Sequence, residues 1–256
     1  MAMKIVLRVV LLISMSSSVF AKANCKDLPT DGALKNALIS AVTLVDPVIA
    51  PGGGSAGGLF GGARMWGATV NRDGEICSYS TSTSDPSQVW PGSQAIAKAK
   101  AYTANAFSLD ATVAGLPAGF PLSTAQLYTF TQPGRSLWSL GQSNLFNPSA
   151  LTSPGGQGGN NQIAGGLIFF GGGVALYKNG VIIGGLGISG DTSCADHEIA
   201  KRVRHILGFN PAGGPTADDI SYTVPDGAGP FTHPKCINTF RNGVLLAGSE
   251  QAAVGY

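Results

Sequence analysis

The sequence predicts an α+β domain in which helices cover a mostly antiparallel sheet. Two hairpin turns carry that reading, Arg72-Asp73-Gly74 and Asn179-Gly180, because tight turns join antiparallel neighbours. Three stretches of helical periodicity, one before the first hairpin, one between the two and one after the second, supply the covering layers. The chain has 256 residues, enough for one domain with embellishments. Hydrophobic residues make up 44% and charged residues only 12%, which excludes an intrinsically disordered chain. Glycine is in excess at 37 residues, without the three-residue period of collagen.

Residues 1–23 read as a secretory signal. Lys4 and Arg8 precede an apolar run from Val9, and small residues at Val19, Ala21 and Ala23 offer cleavage sites. The run is too short and too serine-rich for a membrane anchor, and Lys22 and Asn24 before Cys25 do not fit a lipobox. The formal charge of +2 includes Lys4, Arg8 and Lys22, so removal leaves 13 basic against 14 acidic residues. A near-neutral chain gives no electrostatic case for nucleic acid, and no membrane span is expected after cleavage. The expected location is the periplasm or the medium.

An even cysteine count in an exported chain points to two disulfides among Cys25, Cys77, Cys194 and Cys236. There is no C-x-x-C, hence no zinc ribbon, thioredoxin-type site or c-type haem attachment. Three pairings are possible. Cys194 opens a helix and Cys236 lies in a tail able to fold back on it, which favours Cys194–Cys236 with Cys25–Cys77.

Thr30-Asp31-Gly32 caps the first helix, whose apolar face is Leu34, Leu38, Ala41, Val42 and Val45 and which ends before Pro47. The glycine-rich run 51–62 lacks a Gly-Lys-Ser/Thr and a following helix, so it reads as a flexible surface loop rather than a phosphate cradle. Strands follow at 65–71 and 75–81, then a helix at 93–107. On that helix Ala95, Ala99, Tyr102 and Ala106 form a narrow stripe that another backbone or a flat ligand can approach; packing on a sheet is the plainer reading. Residues 108–164 are poor in pattern, with a short strand at 127–131, a short helix at 135–142 and a loop at 153–161. Strands at 174–178 and 181–189 flank the Asn179-Gly180 turn, and Gly184, Gly185 and Gly187 leave the second nearly bare, which implies close approach by a helix or ligand. A helix capped at 191–193 runs to Gly208, and short strands are expected at 221–224 and 244–246. The organisation is a domain over 24–208 with the loop 51–62 and an insertion at 115–164, then a Pro/Gly-rich extension over 209–256.

Chemistry is sparse in the residues themselves. His197 and His205 lie eight residues apart on one helix, about 12 Å, so they cannot share a metal ion. Cys194, Asp196, His197 and Glu198 cluster at the start of that helix, where a disulfide and a solvated helix start are favoured over a metal site or a reactive thiolate. No Gly-x-Ser-x-Gly elbow occurs, and Asp218-Asp219 reads as an exposed turn. No catalytic residue is assigned.

The run from Gly172-Gly173 through the Asn179-Gly180 turn to Gly187-Ile188-Ser189-Gly190 resembles the haem-binding GlcG/HbpS-like family. Asp196 and Glu198-Ile199-Ala200 are similar to the acidic helix start that follows in that family, and Lys100-Ala101-Tyr102-Thr103-Ala104 to its Lys-Ala-x-Thr-Ala helix. The family's Arg-Met-Asp-Gly-Ala segment is replaced here by Thr81-Ser82-Thr83-Ser84-Asp85-Pro86. The resemblance, over roughly 65–208, implies a profilin-like α/β/α sandwich that assembles as a homo-oligomer, with haem as cofactor in some members. It implies an exported protein binding haem, a tetrapyrrole or another small flat apolar ligand, with Lys100, Tyr102, Thr103 and His197 as candidate iron ligands. The alternatives are a non-catalytic oligomeric assembly module and a protein or enzyme acting on a small organic molecule.

Overall fold

The computed structural model describes residues 24–110, 120–147, 162–223, 226–227 and 229–252. Residues 1–23, read as a secretory signal, and the loop expected at 153–161 lie outside the described residues.

Helix α1 (Asp31–Ala41) starts where Thr30 Oγ1 accepts the Ala33 N–H at 3.2 Å. It stops at Ala41, one turn short of the expected end at Val45. The Arg202 guanidinium donates to the Ala41 carbonyl at 3.1 Å, and Val45 has no apolar partner, being 75% exposed. Strands β1 (Trp66–Asn71) and β2 (Ile76–Thr81) pair antiparallel. A bulge between Thr69 and Val70 leaves Cys77 unpaired in the register. Ile76 and Tyr79 thus pack on one side of the sheet while Cys77 joins the other side and reaches Cys25. Helix α2 (Ser93–Phe107) follows, with the bounds its alanine periodicity predicts.

Residues 127–131 form helical turns rather than a strand. Among the described residues no strand pairs with this backbone; Tyr128 N–H bonds Ala125 C=O and Thr131 N–H bonds Tyr128 C=O, so it is satisfied locally. The helix expected over 135–142 shrinks to α3 (Leu140–Ser143), because Ser139 adopts φ 66° and breaks the run. Strands β3 (Gly173–Lys178) and β4 (Val181–Ser189) flank a turn in which Asn179 and Gly180 both have positive φ, as a type I′ turn requires. Helix α4 (Ser193–Ile206) is capped by Thr192, whose hydroxyl accepts from Ala195 N–H.

The four long strands form one antiparallel sheet in the order β2-β1-β4-β3. Helices α1 and α4 cover one face through Leu34, Leu38, Ile199 and Val203, which pack on Leu186 and Ile188. Helix α2 covers the other, placing Ala97 and Ala101 against Trp66, Ala68 and Val70. The fold is therefore an α+β sandwich of three layers, α/β/α. The bare strand is explained by α2: a Cβ at Gly187 would lie 1.9 Å from the Ala97 carbonyl oxygen, and one at Gly185 2.2 Å from that of Ala101. The close partner implied by these glycines is a helix backbone.

The tail packs onto this sandwich. Short strands β5 (Ser221–Tyr222) and β6 (Thr232–His233) pair parallel, and β7 (Thr239–Arg241) pairs antiparallel with β8 (Val244–Ala247). β6 and β7 are too short for a periodic signal in the sequence. Disulfides join Cys25 to Cys77 and Cys194 to Cys236, the pairing favoured from the sequence. Among the described residues no helix is long and apolar enough to cross a membrane.

Candidate functional site

The candidate residues fall in three places. Lys100, on the sheet-facing side of α2, is fully buried and ion-pairs with Asp196 at 2.6 Å. Its ammonium also donates to the Ile188 carbonyl at 3.0 Å. The other Asp196 oxygen accepts the N–H groups of Gly190 and Asp191 at 3.0 and 2.9 Å. Burial pushes the Asp196 carboxyl up to about 6 and draws the Lys100 ammonium down, while their mutual attraction opposes both shifts. Gly172, immediately before β3, makes room for this contact. Gly172 has φ 118°, and a Cβ there would sit 2.6 Å from Lys100 Nζ and 2.9 Å from Asp196 Cβ. The pair ties α2, the end of β4 and the start of α4 together, and it fills the space where a polar pocket beside Asp196 would be.

His197, one residue on, is buried with neither ring nitrogen in a well-formed hydrogen bond; the backbone of Asp218 lies nearest. Burial, with the charges of Lys201 and Arg204, holds its pKa well below the ordinary histidine value, so the ring is neutral. The recess it lines measures about 10 Å³, too small for any organic ligand. The start of α4 is thus buried, contrary to the solvated helix start expected. Tail residues cover the helix along its length: Cys236 bonds Cys194 at its start, Asp219 joins the Lys201–Glu198 pair, and in the last turn Arg204 pairs with Asp218 at 2.5 Å with both side chains fully buried. Asp218-Asp219 is correspondingly no exposed turn, because two cations of α4 need counter-charges once the tail removes water.

The third place is the outer stripe of α2. Ala95, Ile96 and Ala99 form the floor of an apolar cleft of about 180 Å³, walled by Phe146, Gly166 and Leu167. No charged side chain lines it. Tyr102 lies one turn beyond Ala99 and packs on the group that contains Leu167 and, on its other side, on the group that Phe146 joins. It is half-buried, and no described residue hydrogen-bonds its hydroxyl. Thr103 is buried, with its hydroxyl donating to Ala99 C=O at 2.7 Å and accepting from Ile168 N–H at 3.0 Å. None of the four candidates lines the cleft itself; Tyr102, whose ring also lies over Gly74, is the one that is not fully buried.

Residues 80–204 match the family described as haem degrading protein HbpS-like. Over that stretch, just under half of its length, the chain is similar to the HbpS-like family. The HbpS-like stretch runs from the end of β2 to the end of α4, and it contains the cleft floor, Tyr102 and the Lys100–Asp196 pair. α1, nearly all of the first hairpin and the tail lie outside it. Among solved structures, the PduOC:heme complex is similar at 21% identity and TM-score 0.45, over 70% of this chain and 93% of that one. Klebsiella pneumoniae protein ORFY is similar at 19% identity and TM-score 0.44, over 70% and 90%. HbpS is similar at 20% identity and TM-score 0.38, over the same shares. No curated protein gives a match.

Two functional features escape the sequence reading. Asp191 gathers the glycine-rich loop: its carboxylate accepts the N–H groups of Leu59, Phe60 and Gly62 at 2.7, 2.9 and 3.1 Å. Loop 51–62 is therefore pinned, with Ala56, Gly57, Gly58 and Gly62 buried. A run of glycine N–H groups without a phosphate motif was the available signal for an internal anion. His233, which carried no role in the sequence, is buried beside Cys194 and Cys236.

Proposed function

We infer that this chain is an exported haem- or tetrapyrrole-binding protein, taking the macrocycle against the outer stripe of α2. The observation that carries the reading is the apolar cleft built on Ala95, Ile96 and Ala99, next to Tyr102, inside the HbpS-like stretch. The residues fit part of such a group. The surface is apolar and uncharged, as a flat macrocycle requires, and Tyr102 offers a phenol oxygen of the kind that holds haem iron. At about 180 Å³ the cleft is smaller than the roughly 300–1,000 Å³ of an enclosing ligand site, so it takes one edge or face and leaves the rest open. Bound there, the iron supplies redox and ligand-binding chemistry. The chain's own residues orient the ring and shed water from one side: Phe146 and Leu167 wall the cleft, and Thr103 fixes the wall by accepting from Ile168 N–H.

An open apolar cleft also supports assembly into a homo-oligomer, in which a second copy supplies the missing wall. Leu145, which lines the cleft and is 79% exposed, is the residue such a copy would cover. Export rests on the signal-like segment 1–23 and on two disulfides, which persist in oxidising compartments.

Titration of the purified chain with hemin tests the reading. A saturable Soret shift at one hemin per chain is expected, and Tyr102→Phe should alter its position and weaken binding by roughly tenfold or more. Ala99→Trp, which fills the cleft, should abolish it. Unsaturable partitioning of hemin, or wild-type spectra in both variants, would sink it.

A further inference from the structure

The Cys194–Cys236 disulfide lies against His233, and the Sγ atoms and a ring nitrogen of the three residues fall within 4.8 Å of one another. All three side chains are buried. Among the described residues this is the one such group, and the Cys25–Cys77 bridge belongs to none. We propose that, when this disulfide is reduced, Cys194, Cys236 and His233 form a Cys2His site for a thiophilic divalent cation, with zinc the natural occupant.

Three features prepare the residues for that role. His233 Nδ1 lies 2.6 Å from the Pro234 carbonyl, which can only accept, so the proton sits on Nδ1 and Nε2 is the accepting nitrogen; it takes the Gly171 N–H at 3.4 Å, a weak bond that a metal at Nε2 would replace. A histidine whose second nitrogen donates to a carbonyl is the arrangement found behind metal-ligating imidazoles, where it fixes tautomer and ring orientation. Each sulfur already accepts a backbone N–H: Cys194 N–H donates to Cys236 Sγ and Cys236 N–H to Cys194 Sγ, both at 3.2 Å. Such bonds do little for a disulfide but stabilise thiolate charge. Ser193 Oγ lies 3.3 Å from Cys236 Sγ and 3.4 Å from His233 Nε2, beside the fourth coordination position that a water or hydroxyl would fill.

The movement required is small. Zinc–sulfur bonds of about 2.3 Å and zinc–nitrogen bonds of about 2.0 Å place tetrahedral ligand atoms under about 4 Å apart. The two sulfurs therefore separate by about a bond length while His233 approaches slightly. The chemistry balances with a low-molecular-weight thiol as reductant. Two thiols reduce the disulfide to two cysteine thiols and leave as their own disulfide, and the cation then displaces two protons from Cys194 and Cys236. Oxidation reverses the sequence and expels the metal. The same three side chains thus hold the tail either covalently or through a metal, according to redox state.

The test uses the whole chain, reduced with excess phosphine in the absence of air and titrated with cobalt(II), a coloured stand-in for zinc. One equivalent should bind with thiolate-to-cobalt charge-transfer absorption, release about two protons, be displaced by zinc, and leave the far-ultraviolet circular dichroism unchanged. His233→Ala should weaken binding by more than about tenfold. Cys194→Ser should remove the charge-transfer band, while the Cys25→Ala/Cys77→Ala double variant should keep it. No band in the reduced wild-type chain overturns the proposal. So does a reduced chain that unfolds and is not refolded by cobalt or zinc, or a His233→Ala chain that binds like wild type.

Discussion

A single carboxylate or ammonium can set the behaviour of a whole segment when water is excluded around it. Asp191 is such a residue, because three N–H groups of loop 51–62 and its own neighbour Thr192 N–H converge on its two oxygens. Hydrogen bonds to a charged acceptor contribute about 1.5–3 kcal/mol each, but the loop can rehydrate when they are lost. Asp191→Ala should therefore lower stability by about 2–4 kcal/mol in urea titrations and expose the amides of Leu59, Phe60 and Gly62 to hydrogen exchange. Unchanged protection at those three amides would contradict the assignment. Lys98 is the cationic counterpart. It is buried with its ammonium 3.8 Å from the centre of the Tyr79 ring, and burial lowers its pKa to about 8. A base with a depressed folded pKa binds its proton more weakly in the native state than in the unfolded chain. Stability then rises with pH from about 8 toward 10.5. Comparing urea midpoints at about pH 8 and pH 9, below most tyrosine ionisation, should show this rise. Lys98→Met, which keeps the stem and removes the charge, should flatten it; equal slopes in the two proteins would refute it.

At the scale of elements, the sheet and its helices were legible wherever the pattern was local. The hairpin turns, the bounds of α2 and β4, and the cap of α4 follow from turn chemistry and periodicity within a few residues. The glycines of β4 were legible as a close approach but not in what approaches, since that depends on α2 residues Ala97 and Ala101, far upstream in the chain. Gly187→Ala tests the fit. The added Cβ would meet the Ala97 carbonyl oxygen at 1.9 Å, and neither backbone can yield without parting α2 from the sheet. The cost should exceed about 3 kcal/mol, read as a lowered Tm. Val181→Ala on the same strand is half-exposed and should cost under about 1 kcal/mol, which separates packing from strand propensity. What the sequence hid were features whose partners lie far along the chain. The segment 127–131 looked like a strand from its composition, yet among the described residues no strand pairs with its backbone; β6 meets it only through side chains, Thr129 to Thr232 and Tyr128 to His233. The charges of α4 looked solvated because the tail residues that neutralise them are some 15–45 positions away. The candidate site was half legible: the alanine stripe and Tyr102 could be named, whereas the burial of Lys100, Thr103 and His197 is a property of the assembled layers.

The whole molecule is held as one unit by its tail, which the sequence separates as an extension after residue 208. Cys236 bonds Cys194, Thr239 bridges to Gly57, Asp218 neutralises Arg204, and Asn242 accepts from Lys201 at 2.8 Å. Each contact lands on α4 or on the glycine loop that Asp191 holds, so removing the tail would uncover charged groups now shielded from water. Arg204→Met with Asp218 intact, or Asp218→Asn with Arg204 intact, strands one buried charge and should cost about 3–5 kcal/mol. Arg204→Met/Asp218→Leu removes both and should recover most of that loss, because the pair's attraction barely exceeds its desolvation cost. The same reasoning fixes how the chain unfolds. If the tail were an independent appendage, near- and far-ultraviolet signals would report two transitions, and a chain ending at residue 208 would keep the first. With the buried pairs shared across the junction, the full chain should melt in one transition by both probes, and the shortened chain should lose its near-ultraviolet signal while keeping helical content. A shortened chain with native near-ultraviolet dichroism would show that α4 tolerates its charges without the tail, and would remove the physical basis for treating residues 24–252 as one cooperative fold.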